Sequence, residues 1–178
     1  MHITRVGDAY GAGLVARPAL EFVLPVPFFT FHAVCRDRFG NIKWEETFRN
    51  LVTTEGKNSI LDVYFDAATQ ITTWYCGLKG AGDAAAADTL ASHSGWTEVT
   101  DYSGDRKAIT FGEPSNGSLA ASSAVSFAIN DTATVAGAFI TSAETGTSGT
   151  LYSAGDFANS RSVEDGDTLN VTPTVTAS

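Results

Sequence analysis

The sequence contains few of the residues that usually form cross-links or metal sites: two cysteines and three histidines among 178 residues. Two cysteines are too few for the disulfide framework that stabilises small secreted domains. Cys35 and Cys76 both lie in apolar, strand-like runs, so we expect them to be buried, reduced thiols. Residues 1–13 lack a charged start followed by an apolar stretch, which argues against a secretory signal and favours folding in a cytoplasm.

Charged residues are also scarce, at 17% of the chain, and the acidic excess gives a net charge of −9. Nucleic acids and anionic membranes would repel such a protein, so neither is an expected partner. The charge is uneven, since residues 1–57 hold seven basic and six acidic residues, whereas residues 58–178 hold four and fourteen. Two interpretations stay open: an acidic solvated face that arose by chance, or an N-terminal third that docks on a partner.

No hydrophobic run is long enough for a transmembrane helix. The most apolar segment, residues 20–31, is too short to span a bilayer and contains Glu21, Pro25 and Pro27. Hydrophobic residues nevertheless make up 43% of the chain. A chain of this length buries roughly 70% of its unfolded surface, so we expect one folded domain with a sizeable core.

Short alternating runs separated by turn residues dominate the chain from Phe28 onward. Phe29, Phe31, Ala33 and Cys35 alternate with other residues, and the turn chemistry at 37–41 predicts a hairpin with a second strand from residue 42. Further strands are predicted at 71–78, 96–102, 108–111, 124–129, 134–141, 149–152 and 168–176, with a brief helical turn at 84–92.

One helix is predicted near residues 55–66. Thr53 or Thr54 can cap its start, and apolar residues recur at helical spacing, which predicts a stripe that packs on the sheet: Ile60, Leu61, Tyr64 and Phe65. The sequence therefore predicts an all-β protein, an antiparallel Greek-key or jelly-roll-like sandwich over residues 28–178, with one short helix. Residues 1–27, which have three glycines, three prolines and no period, are predicted to form an extended N-terminal arm.

Candidate catalytic and metal-binding residues do not form a recognisable pattern. His2 lies in the predicted arm, His32 fits strand alternation, and His93 lies in a loop of small residues, so none is predicted to act in catalysis. The sequence Glu164-Asp165-Gly166-Asp167 lacks the further oxygen ligands of a calcium loop and is predicted to be a turn. We therefore expect no enzyme activity, no cofactor and no metal site.

Several segments in order along residues 30–176 resemble a family of small virion-associated proteins of tailed bacteriophages. They are 48–53 (FRNLVT), 61–65 (LDVYF), 73–78 (TWYCGL), 87–98 (ADTLASHSGWTE), 134–139 (TVAGAF), 149–154 (GTLYSA) and 166–171 (GDTLNV). Residues before about 28 resemble the family less. These segments contain no catalytic signature, so they identify relatives better than an activity. Such relatives are usually structural components, so the resemblance implies a structural protein of the virion, made in the host cytoplasm.

The leading expectation from this resemblance is a capsid decoration (cement) protein at the capsid surface, and the alternative is a tail or fibre-associated protein. The expected partners are the major capsid protein and further copies of the chain, as a trimer or a dimer. In the decoration hypothesis the N-terminal segment lies on the capsid, and its contacts are two arginines and four apolar residues: Arg5, Arg17, Phe22, Leu24, Phe28 and Phe29.

A carbohydrate-binding sandwich is the alternative from a different class. Trp74, Trp96 and Tyr102 would form its stacking platform if they were exposed. Burial of the same three rings in the core is the competing interpretation.

Overall fold

The computed structural model describes residues 26–177. Within that range the chain forms ten strands and one helix: β1 (Phe28–Arg36), β2 (Ile42–Val52), α1 (Thr54–Phe65), β3 (Trp74–Lys79), β4 (Glu98–Val99), β5 (Lys107–Ile109), β6 (Ser118–Ala120), β7 (Val125–Ala128), β8 (Ala133–Thr141), β9 (Leu151–Val163) and β10 (Thr168–Thr176). The helix predicted at 55–66 is confirmed to within one residue. No helix in this range is long and apolar enough to cross a membrane.

The ten strands form one antiparallel sheet in the order β4-β3-β8-β9-β2-β1-β10-β6, with β5 paired to β3 and β7 paired to β10. Early strands pair with late ones in a nested order: β1 with β10, β2 with β9 and β3 with β8. Strand β2 joins the two halves, because its residues 42–49 pair with β1 and its residues 50–52 pair with β9. The predicted all-β antiparallel fold with one short helix is confirmed.

The sheet curls around a common core, and its distant parts meet through short contacts. Single bridges join Phe111 to Ala121 and Tyr102 to Ile129. In the interior, the ring of Phe31 from β1 stacks on Phe48 from β2, with 4.9 Å between ring centroids. Strand β9 contributes to the same cluster through Phe157, whose ring meets that of Phe48 edge-on. Both halves of the sheet therefore share one aromatic core.

The β1–β2 hairpin agrees with its prediction. The alternating residues of β1 are all buried: Phe29, Phe31, Ala33 and Cys35. In the turn, the Asp37 carboxylate accepts hydrogen bonds at 2.9 Å from the backbone N–H groups of Phe39 and Asn41. The Asn41 side chain also donates to Asp37 and lowers the pKa of that carboxyl group. Gly40, at φ +87°, supplies the left-handed residue that the turn requires.

Other segments differ from the prediction. Strand β9 has 13 residues, although only 149–152 were predicted, and β6 was not predicted. Strand β4 has two residues in place of 96–102, and the segment 84–92 forms turns and one short bridge between Thr89 and Ser92 instead of a helical turn. Residues 153–156 of β9 include no β-branched or aromatic residue, and the backbone of β2 passes so close to Gly155 that no side chain fits at that position.

Both cysteines are free and buried, as predicted. Burial raises the pKa of the Cys35 thiol, and the nearby Asp167 carboxylate adds to the effect, so that the pKa is about 11. Burial also raises the pKa of Cys76. Both thiols are therefore held in their neutral, unreactive form.

We expect both cysteines of the folded protein to react slowly with iodoacetamide at about pH 8, because only the thiolate is the nucleophile. Timed samples analysed by intact mass should remain largely unmodified, whereas the protein unfolded in guanidinium should gain two adducts at once. If the unfolded protein gained them only after treatment with a reductant, a disulfide would be present and the assignment would be wrong.

Two buried cationic side chains, Lys79 and Arg106, anchor loops to the sheet. The side chain of Lys79, at the end of β3, is completely buried and contacts the Asp156 carboxylate and the carbonyl oxygens of Gly80 and Gly82. Arg106 forms a bidentate pair with Glu98 through contacts of 2.8 and 2.7 Å. Both cations are satisfied within the fold, so they stabilise its loops.

Candidate interaction surface

Helix α1 is attached to the sheet through its first turn. The Thr53 hydroxyl caps the helix and donates a hydrogen bond to the carbonyl oxygen of Leu151. The Glu55 carboxylate accepts a hydrogen bond from the Leu151 backbone N–H at 2.7 Å. Gly56 lies so close to the carbonyl of Tyr152 that any side chain at this position would overlap it. The start of the helix is therefore fixed against β9.

The remainder of α1 presents apolar side chains to solvent. Leu61, Tyr64 and Phe65 are 53%, 80% and 78% exposed, and the rings of Tyr64 and Phe65 lie 5.5 Å apart. These three residues are called the helix-end patch. The prediction that the apolar stripe packs on the sheet is correct for Ile60, which packs against the core, and wrong for the three residues of the patch. The reason is the contact between Gly56 and the sheet. Ile60 is four residues after Gly56 and lies on the same face of the helix, toward the core, whereas Leu61 and Phe65 lie on the outer face.

A cleft of about 650 Å³ runs along one side of α1. Its walls are the helix, the irregular segment 68–71 and the residues facing them, and they carry many hydroxyl, amide and carboxylate groups. This polar cleft is lined by Thr54, Glu55, Asn58, Ser59, Asp62, Val63, Ala68, Thr69, Ile71, Ala87, Thr89 and Thr150. Among residues 26–177, the side chains of Asn58, Ser59 and Asp62 have no hydrogen-bond partner, so these groups are available to a ligand.

Two further depressions continue from the cleft. A cavity of about 200 Å³ shares Ser59, Val63 and Ile71 with it and is bordered by Tyr64 and Trp74. A groove of about 350 Å³ follows, lined mainly by apolar side chains that include Trp74 and by Tyr152. Burial raises the pKa of Tyr152 to about 12, and its hydroxyl donates a hydrogen bond of 2.6 Å to the carbonyl of Pro27. A continuous depression therefore runs along one flank of α1.

The predicted partner contacts are only partly within the described range. Arg5, Arg17, Phe22 and Leu24, and the predicted arm up to residue 25, lie outside it. Phe28 is half-buried beneath the guanidinium of Arg49, which lies 5.1 Å from its ring centroid. Phe29 is 5% exposed and packs edge-on against Tyr152, so it contributes to the core. A docking role for these six residues stays a prediction, although burial leaves little of the Phe29 side chain for a partner to contact.

The histidines and the acidic turn have local partners. The imidazole of His32 lies 3.0 Å from the Glu45 carboxylate on the exposed face of the hairpin. His93 stacks on Trp96, with 4.0 Å between ring centroids. The Asp167 carboxylate accepts hydrogen bonds from Lys43 at 2.6 Å and from the Glu164 backbone N–H at 2.8 Å. His2 lies outside the described residues. These side chains are thus parts of the hairpin, a loop and a turn.

The three aromatic residues proposed for sugar stacking do not form a platform. Trp96 and Tyr102 are 3% and 4% exposed. The Trp96 indole donates a hydrogen bond to Asp88 at 2.9 Å, and the ring of Tyr102 packs edge-on against Phe127. Burial in the core, the competing interpretation, is therefore correct for these two residues. Trp74 is partly exposed and borders the depressions around α1.

The fold and these surfaces define a β-sheet protein whose most prominent exposed features are an aromatic patch and a groove. A family model described as podophage GP4 fiber I protein gp80 matches residues 52–176. Since this match covers α1 and strands β3 to β10, well over half of the sequence, the chain belongs to that family. It is therefore a structural protein of a bacteriophage virion. No curated protein matches it.

Proposed function

We propose that this protein is a structural component of a phage fibre and acts through contacts with other proteins, without catalysis. The observation that carries the proposal is the family match, whose description names a fibre protein. Capsid decoration, the leading expectation from the sequence, is not confirmed by that match. The alternative, a tail or fibre-associated protein, agrees with it better.

The helix-end patch supports a role in assembly. Exposed aromatic side chains that form a patch are typical of protein–protein contacts, in which a few large residues contribute most of the binding energy. Leu61 and Phe65 project from a helix whose first turn is fixed to the sheet, so they are presented on a rigid base. We propose that the patch contacts another fibre subunit, either a copy of this chain or a different fibre protein.

The location of the protein is tested by labelling purified virions with an antibody against it and viewing them by electron microscopy, together with quantitative mass spectrometry. We expect the label on fibres and a copy number close to that of tail components. Label over the whole head, at a copy number near that of the major capsid protein, would show decoration and refute the fibre assignment.

We expect the double variant Leu61→Ser/Phe65→Ser to fold normally and to be incorporated into virions at least about tenfold less, because two apolar contacts of the patch are removed. Incorporation is measured by complementation of a phage that lacks the gene. The control is Phe39→Ser, which changes a residue that is 83% exposed in the β1–β2 turn. Equal incorporation of both variants would show that the patch is not an assembly contact.

A further inference from the structure

The polar cleft beside α1 is not required for assembly through the helix-end patch, since neither Leu61 nor Phe65 lines it. Its volume of about 650 Å³ lies within the range of small-molecule sites in proteins. Thr54, Asn58 and Asp62 follow one another at intervals of four residues, so they form a row along one side of the helix. The cleft therefore has one ordered polar wall.

The groups on this wall suit a ligand that both donates and accepts hydrogen bonds. The amide of Asn58 does both, the carboxylate of Asp62 accepts, and the hydroxyl of Ser59 does either. Because none of the three has a partner among the described residues, a ligand would not have to displace an internal hydrogen bond. An apolar ligand would leave these groups without partners and lose binding energy.

An aromatic ring borders the continuation of the cleft. The adjoining cavity shares Ser59, Val63 and Ile71 with the cleft and is bordered by the ring of Trp74. An indole supplies a broad apolar surface beside the polar wall. A ligand that spans both cavities would therefore carry hydroxyl groups and also present apolar C–H faces, and a chain of sugar rings has this combination.

The charge of the residues that line the cleft further restricts which ligands can bind. Glu55 and Asp62 are the charged residues that line the cleft, and both are acidic. The whole chain carries a net charge of −9. Phosphorylated or sialylated ligands would be repelled by this field, so a neutral ligand is favoured.

We propose that the polar cleft binds a neutral oligosaccharide, with Asn58 and Asp62 forming hydrogen bonds to its hydroxyl groups and Trp74 packing against an adjacent ring. This inference goes beyond the proposed structural role and also changes the carbohydrate hypothesis drawn from the sequence. The proposed site lies along the side of α1. Of the three aromatic residues in the earlier hypothesis, Trp96 and Tyr102 belong to the core, and only Trp74 borders this site.

The test is an array of neutral and sialylated oligosaccharides probed with the full chain, followed by saturation-transfer NMR and calorimetry on the neutral oligosaccharides that bind. We expect binding of neutral members, weakened at least about tenfold by Asn58→Ala, which removes a donor and an acceptor, and by Asp62→Asn, which replaces a charged acceptor with a neutral amide that forms weaker hydrogen bonds. Asp66→Asn is the matched control, because it makes the same chemical change at an exposed position outside the cleft and should leave the affinity unchanged.

Three outcomes would overturn the proposal: no binding of any neutral oligosaccharide, a preference for sialylated ones, or affinities that Asp62→Asn and Asn58→Ala leave unchanged. Thermal unfolding of each variant shows whether a loss of binding reflects loss of the fold. Since sugar binding is measured on the isolated protein, its failure is distinct from a failure of the fibre assignment, which depends on the position of the protein in the virion.

Discussion

Asp156→Asn is expected to destabilise the protein by about 3 kcal/mol, because removing one partner of a buried ion pair leaves the other charge uncompensated. Lys79 is completely buried, and the carboxylate of Asp156 is its only acidic partner among the described residues. The carbonyls of Gly80 and Gly82 would remain, but they do not neutralise an ammonium group. The melting temperature should fall by roughly 6–12 °C, which calorimetry measures directly.

Replacing Lys79 should destabilise the protein less than replacing Asp156. Lys79→Met removes the buried charge and leaves Asp156, whose side chain is 38% exposed and stays hydrated. We expect the double variant Lys79→Met/Asp156→Asn to be about as stable as Lys79→Met alone, since the two residues form one unit. Asp83→Asn, at an exposed position, is the control and should change stability by less than about 0.5 kcal/mol. If Asp156→Asn were equally harmless, the ion pair would contribute nothing to the fold.

The parts of the fold that could be predicted are those in which a strand has one face in the core and one outside. In β1 the buried residues alternate, and the turn at Asp37 and Gly40 follows from the preferences of those residue types. Strand β9 was largely missed because its character comes from its neighbours. Small residues at 153–155 lie where β2 approaches, and residues 158–160, two of them polar, are exposed. Neither feature is a local signal for a strand.

The position of α1 was predicted correctly, but the direction of its faces was not. Periodicity alone identifies the apolar residues of a helix and does not show which of them meets the body of the protein. Gly56 was the signal that could have resolved this, because a glycine inside a helix indicates a close backbone contact. The residues four and seven positions later, Ile60 and Val63, then lie on the inner side. The polar cleft was missed for another reason, since its walls come from three separate parts of the chain.

Phe31→Ala should be the most destabilising of the single substitutions considered, at about 4 kcal/mol, since it leaves a cavity in the aromatic core. Phe31 is completely buried, and its ring stacks between those of Phe48 and Phe29, at centroid distances of 4.9 and 5.9 Å. These neighbours belong to the central strands β1 and β2, which have little freedom to close the gap. The measurement is unfolding in guanidinium followed by tryptophan fluorescence and by circular dichroism, and both signals should shift together.

Phe65→Ala provides the matched comparison, because the same atoms are removed from a side chain that is 78% exposed in the helix-end patch. Its free energy of unfolding should change by less than about 0.5 kcal/mol, as is usual for a surface position. The two substitutions therefore separate two roles for phenylalanine in one chain: Phe31 stabilises the fold, and Phe65 is available for contact with another subunit. If Phe65→Ala destabilised the isolated protein as much as Phe31→Ala, α1 would belong to the core, and the helix-end patch would have to be withdrawn as an assembly surface.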